Sequence, residues 1–183
     1  MKKFAFNKSG FLYLLAILLL SLFLIPYFQN QQISHMELNK QTYIEDFWTV
    51  SHVIDGDTII LKRANEKIKA RLIGVNTPEL DGPYTKKECF GKEASQYAKK
   101  ELLGKKVYIK FDPSQSKFDK YGRALVYVYT KDGELFNKKL IESGYAYEFT
   151  YKGVPYKYQK EFKNAQKTAK KLKRGLWGKA CIK

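Results

Sequence analysis

From residue 47 onward, hydrophobic and polar positions alternate in short runs. "FWTVSHVI" (47–54), "TIILKR" (58–63), "KIKARLIGV" (67–75), "KVYIKF" (106–111) and "ALVYVY" (124–129) are rich in β-branched and aromatic side chains and predict five strands separated by short turns. Three other stretches carry helical patterns: "GKEASQYAKKELLG" (91–104), "FNKKLIESG" (136–144) and "PYKYQKEFKNAQKTAKKLKRG" (155–175), each ending on glycine. In the last of these, Tyr158, Phe162, Ala165, Ala169 and Leu172 recur at spacings of three and four, so one face is apolar and the other rich in lysine. Five strands, with one helix between the third and fourth and two near the end, predict an α+β domain: a five-stranded OB-fold-like β-barrel with three packed helices.

The N-terminal part follows a different pattern. Lys2, Lys3 and Lys8 precede "FLYLLAILLLSLFLIPYF" (11–28), and no charged residue occurs between Lys8 and Glu37. As a helix these residues would reach roughly 27 Å, close to the thickness of a bilayer hydrocarbon core. The segment reads as a transmembrane anchor or a signal segment. Small residues suited to cleavage are scarce after it, with Ser34 alone in "IPYFQNQQISHM", which favours an uncleaved anchor over a secreted product. The lysines of residues 1–10 would hold the N-terminus in the cytoplasm, placing the rest outside the cell membrane. Residues 29–46 are polar and lack clear periodicity, as in a stalk, and 47–183 form the folded domain.

Charge narrows the choice of partner. Residues 48–183 contain 30 basic and 15 acidic side chains, out of 34 and 18 in the whole chain. Such an excess favours polyanions, either nucleic acid or an anionic envelope polymer. The two cysteines, Cys89 and Cys181, are an even number in an exported domain and predict a disulfide.

Candidate chemistry begins at "VIDGDTIIL" (53–61). Asp55-Gly56 between apolar runs predicts a tight hairpin turn, with Gly56 free to take a positive φ. Asp57 lies past that turn, on the same sheet face as Ile59 and Leu61, where a carboxylate needs a cation or hydrogen-bond donors. Downstream, "ARLIGVNTPELDGPY" sets Arg71 among apolar strand residues, and Thr77 is pushed toward an extended conformation by Pro78. Glu79 follows at once. Arg123 begins the strand after "FDKYGR"; arginine suits bidentate phosphate contact, and a surface ion pair with Asp119 is the plainer reading.

In this order and at these spacings, "VIDGDTIIL", "ARLIGVNTPE", "CFGKEAS", "DKYGRALVYVY" and "GLWGK" resemble the staphylococcal nuclease (thermonuclease) family across residues 48–178. The resemblance implies the five-stranded barrel with three helices, and calcium-dependent cleavage of DNA and RNA that leaves a 3′-phosphate. Residue by residue, it implies that Asp57 is a calcium ligand, that Thr77 offers its carbonyl, and that Glu79 is the general base. Arg71 and Arg123 correspond to the two phosphate-binding arginines, and Lys120 and Tyr121 to contacts with the terminal phosphate. Tyr147, Tyr151 and Tyr156 are further aromatics of the region from which base-stacking residues would come. The domain is expected to act as a monomer.

One position departs from the family pattern. Asn76 stands where a second calcium-ligand aspartate is found; its amide oxygen still suits calcium, but one negative charge is lost. The alternative to an enzyme is a basic OB-fold module, catalytically weak or inactive, that binds nucleic acid or an anionic polymer.

Overall fold

The computed structural model describes residues 20–21, 24–31, 47–81, 88–179 and 181. Residues 20–21 and 24–31 are helical, including 29–31 of the expected stalk. The remainder of the expected membrane segment and stalk lies outside the described residues, and among those described no helix is long and apolar enough to cross a membrane. The chain divides into two compact units between Asp46 and Phe47. The second unit carries all the elements named below.

In chain order these are β1 (Trp48–Val53), β2 (Thr58–Arg63), β3 (Glu66–Leu72), β4 (Val75–Asn76), α1 (Gly91–Leu102), β5 (Lys106–Lys110), β6 (Ala124–Thr130), α2 (Phe136–Glu142), β7 (Tyr147–Glu148) and α3 (Gln159–Lys171). Five strands close a barrel in the order β1-β2-β3-β6-β5, and β4 pairs with β7 beside it. All barrel pairings are antiparallel except that of β3 with β6. This is the expected α+β barrel with its three packed helices. Alternation, shifted in β1 by an irregularity between Val50 and His52, decides which side chains fill it: Val50, Val53, Ile59, Leu61, Ala70, Leu72, Val126 and Val128 are buried, and Ala98, Leu140 and Phe162 join them from the three helices.

Two expected elements differ in extent, the second at both its ends. The run at 67–75 is broken after Leu72, because Gly74 turns the chain at φ +74°. A side chain there would meet Tyr156 and Phe162 at 2.6 and 2.7 Å, so the turn is packed under the start of α3. That helix starts at Gln159 rather than at Pro155, because Tyr156 is drawn into the core and its carbonyl accepts the Gln159 N–H. At the other end Leu172, expected on the apolar face, is exposed: the helix stops at Lys171 and Lys173 takes a positive φ.

Asn137 on α2 fixes the frame on which the site is built. Wholly buried, its Nδ2 donates to the carbonyls of Ile73 and Val126, and its Oδ1 accepts the Val128 N–H. A single amide thus ties β6 to the turn at Gly74 and leaves no buried polar group of its own unpaired.

Candidate active site

The β1–β2 connection is a hairpin turn built on Asp55, as expected, but it does not use a positive φ at Gly56. Oδ1 of Asp55 accepts the N–H groups of Asp57 and Thr58 at 2.9 and 2.7 Å, and the Thr58 carbonyl accepts the N–H groups of Ile54 and Asp55. Gly56 is small for another reason, since a Cβ would lie 2.5 Å from the Thr77 side chain. That close approach lets the 54–57 loop sit directly over Thr77.

Asp57 is buried on the face shared with Ile59 and Leu61, as alternation predicts, and its donors are all present. Its Oδ2 accepts from the Thr77 N–H at 2.7 Å and the Thr77 hydroxyl at 3.0 Å, and lies 3.1 Å from Nη2 of Arg71. Its Oδ1 accepts only the Thr58 hydroxyl, at 3.2 Å, among the described residues. Burial raises the carboxyl and the Arg71 guanidinium lowers it, while the Asp55 carboxylate raises it again, leaving it pushed up to about 6. The consequence for stability follows from the sign. A carboxyl that holds its proton more tightly when folded favours the fold below about pH 4, and this contribution is lost as pH rises through about 6.

Arg71 is brought there by register: it pairs with Thr58 across β2–β3 and with Leu125 across β3–β6. Its Nη1 donates to the Val75 carbonyl at 2.7 Å and the Leu72 carbonyl at 3.2 Å, while Nη2 donates to Oδ1 of Asn76 at 3.1 Å. The guanidinium is therefore locked in one orientation with little exposure, which is how a planar fork is preorganised.

Glu79 lies just past Pro78 with its side chain exposed. Its N–H donates to Oε2 of Glu88 at 3.0 Å, and its carbonyl accepts the Glu88 N–H at 3.0 Å. Partial burial and the charges of Asp55 and Glu88 raise its carboxyl, and Arg71 and Arg123 lower it. Glu79 is thus within electrostatic reach of both arginines. Arg123 does pair with Asp119, Nε to Oδ2 at 2.6 Å. Among the described residues that carboxylate is the guanidinium's hydrogen-bonding partner, and it engages Nε, not the two Nη groups.

Arg71, Arg123, Asp119, Lys120 and Tyr121 border one groove of about 500 Å³. Tyr121 is 71% exposed, with the Lys120 ammonium 4.9 Å and the Arg123 guanidinium 5.4 Å from its ring center. Of the other tyrosines, Tyr151 lines the groove and is exposed. Tyr156 is not available for stacking: it is buried beneath Gly74 with its hydroxyl on Glu148. Tyr147 packs edge-on against Trp177. Phe118 and Phe149 also line the groove as exposed rings, and sequence reading missed both. An exposed aromatic in a Lys-rich loop was the available signal. Glu88, also missed, acts through a contact that no local pattern announces.

Oxygen donors suited to a hard cation are present in the Asp57 carboxylate, the nearby Asp55 carboxylate, the Asn76 amide and the Thr77 backbone. Their chemistry fits calcium, and the raised Asp57 carboxyl next to a second carboxylate is an arrangement that a cation would relieve. Among the described residues no three acidic, histidine or cysteine side chains converge into a closed cage.

The family model for staphylococcal nuclease homologues matches residues 69–179. The thermonuclease of Staphylococcus hyicus is 42% identical over 139 residues, covering 76% of this chain and 77% of that protein. That of Staphylococcus intermedius is 41% identical over 130 residues, covering 71% and 75%, and endonuclease YncB of Bacillus subtilis is 34% identical over 133 residues, covering 72% and 62%. With the barrel topology and these matches together, the chain belongs to the staphylococcal nuclease family, and it is a nuclease, a hydrolase of nucleic acids.

Proposed function

We propose that the protein is a calcium-dependent endonuclease that hydrolyses DNA and RNA without sequence preference, and that the chemistry lies where Asp57, Arg71, Glu79 and Arg123 meet. The observation carrying this reading is the Arg71 guanidinium, held by two backbone carbonyls, Asn76 and Asp57 beside a groove whose other arginine is Arg123. Asp57, Asn76 and the Thr77 carbonyl would hold the metal. Calcium, when bound, supplies Lewis-acid polarisation of the phosphoryl group.

The side chains do the rest. Glu79 orients a water and takes its proton, and its raised carboxyl is a better base than an ordinary glutamate at neutral pH. Arg71 and Arg123 bind the equatorial oxygens more strongly as charge develops on them in the transition state. Lys120 and Tyr121 take the terminal phosphate, and the exposed rings of the groove stack bases indifferently to sequence.

We also propose that the apolar segment 11–28 anchors the chain in the cell membrane with the nuclease domain, 47–183, outside as a monomer beyond a 29–46 stalk. Incubating the full chain in mild detergent with single-stranded DNA and with RNA, in calcium or in chelator, tests the activity. Cutting of both polymers that ceases in chelator is expected. Tight binding without cutting across a calcium titration would instead establish the binding module.

A further inference from the structure

Cys89 and Cys181 form a disulfide, as the cysteine count predicts, joining residues 92 apart in sequence. Its location in the fold bears on catalysis. Cys89 directly follows Glu88, the residue whose N–H and carboxylate hold both backbone groups of Glu79. Two residues further, a Cβ at Gly91 would lie 2.4 Å from the Glu79 carbonyl oxygen, so the start of α1 is pressed against the same peptide. Between them Phe90 takes a positive φ of 74°.

The other end of the bridge is firmly seated. The Leu176 N–H donates to the Gly144 carbonyl at 2.9 Å, and a Cβ at Gly175 would stand 2.2 Å from that same oxygen. The Gly178 N–H donates to Gly175, and the Cys181 N–H reaches back to Gly178. Phe90 enters this joint too, its ring tilted against that of Tyr145 with centers 5.4 Å apart. A disulfide to a loose tail would restrain nothing. This one joins the base of the Glu79 loop to a tail locked onto the end of α2.

We infer that the Cys89–Cys181 bridge is a positioning clamp for Glu79, so that the nuclease reaches full turnover only when oxidised. The inference rests on the reading of Glu79 as the base. Closing the bridge removes two electrons and two protons from the thiols, taken up by exchange with the disulfide of an oxidised dithiol partner. In a reducing compartment the thiols persist and the loop is held by hydrogen bonds alone.

The test compares oxidised full chain with the same protein reduced by a water-soluble phosphine, which breaks the S–S bond to two thiols and leaves as its oxide. Amide exchange at Glu79 should rise about tenfold or more on reduction while Ile59 and Leu61 in the barrel change less than about twofold. In the same samples kcat should fall about fivefold with KM nearly unchanged, since misplacing a positioned group costs rate. In Glu79→Gln, reduction should leave the residual kcat within about twofold, because the base it would misplace is gone. Equal loss in wild type and Glu79→Gln would make the bridge a general support and overturn the clamp.

Should reduction unfold the whole chain, two glycines inserted after Lys179 decide the matter. They keep the cross-link and slacken it, so Glu79 exchange should still rise with the barrel intact. Unchanged Glu79 exchange in that variant overturns the inference. Exchange that responds as expected in a protein whose cutting of DNA and RNA is unchanged by Glu79→Gln sustains the clamp on the Glu79 loop and overturns the reading of Glu79 as the base instead.

Discussion

The two ends of the groove are made differently. At the inner end Arg71 is nearly enclosed, its guanidinium contacting four acceptors: the Leu72 and Val75 carbonyls on strands, Asn76, and the buried Asp57 behind it. At the outer end Tyr121, Tyr151, Phe118 and Phe149 stand exposed on loops and at strand ends. Under the proposed function the contrast separates two tasks. Transition-state stabilisation needs dipoles fixed in advance, which rigid strands provide. Gripping a flexible, sequence-variable polymer needs aromatic faces that can adjust, and loops provide those.

The sharpest way to break this division is Glu79→Gln. It keeps the N–H donated to Glu88, and with it the loop. It removes the base, so kcat should drop about 10²-fold to 10⁴-fold with DNA affinity nearly unchanged. Single-turnover rates and fluorescence-anisotropy binding read the two quantities separately. A variant turning over within about twofold of wild type would mean that Glu79 is not the base and that the chemistry does not lie where it meets Arg71 and Arg123.

A smaller effect, of the opposite kind, is expected at the outer end. Tyr121→Ala should raise KM for single-stranded substrate by about tenfold, since stacking contributes roughly 1–3 kcal/mol per base. Its kcat should stay within about twofold, as no reacting atom is touched. A fall in kcat with KM unchanged would show that Tyr121, with the Lys120 and Arg123 cations beside its ring, belongs to the catalytic end after all.

What the chain reveals of itself follows from whether a cause is local. β2 was readable because Ile59 and Leu61 alternate with Ile60 and Lys62, and the same period places Asp57 inward. The Asp119–Arg123 pair was readable because the partners share one short turn. The break between β3 and β4 was not, because the contact that requires Gly74 comes from Tyr156 and Phe162, far along the chain. Gly56 shows the same limit: Asp-Gly announces a turn, whereas the true demand on that glycine is the Thr77 side chain above it. Asn137 and Glu88 carried no local signal, since each acquires its role only when distant backbone arrives beside it.

The smallest expected effect refines the inner end. Asn76 accepts from Arg71 Nη2 at 3.1 Å, next to the Asp57 oxygens. Asn76→Asp would put a carboxylate at that point and restore the charge that the family pattern carries there. Half-maximal activation should then need about threefold less calcium or lower, because carboxylate count tunes affinity for a hard cation. The gain should be partial, since Arg71 competes for the new charge. At pH 7.5 a calcium titration of activity would read it directly. Toward pH 5 both proteins should need more calcium, because Asp57, with its carboxyl pushed up to about 6, takes a proton where the metal would bind. An Asn76→Asp protein that needs as much calcium as wild type at pH 7.5 would place the cation away from Asn76, and leave that amide with the single task of orienting Arg71.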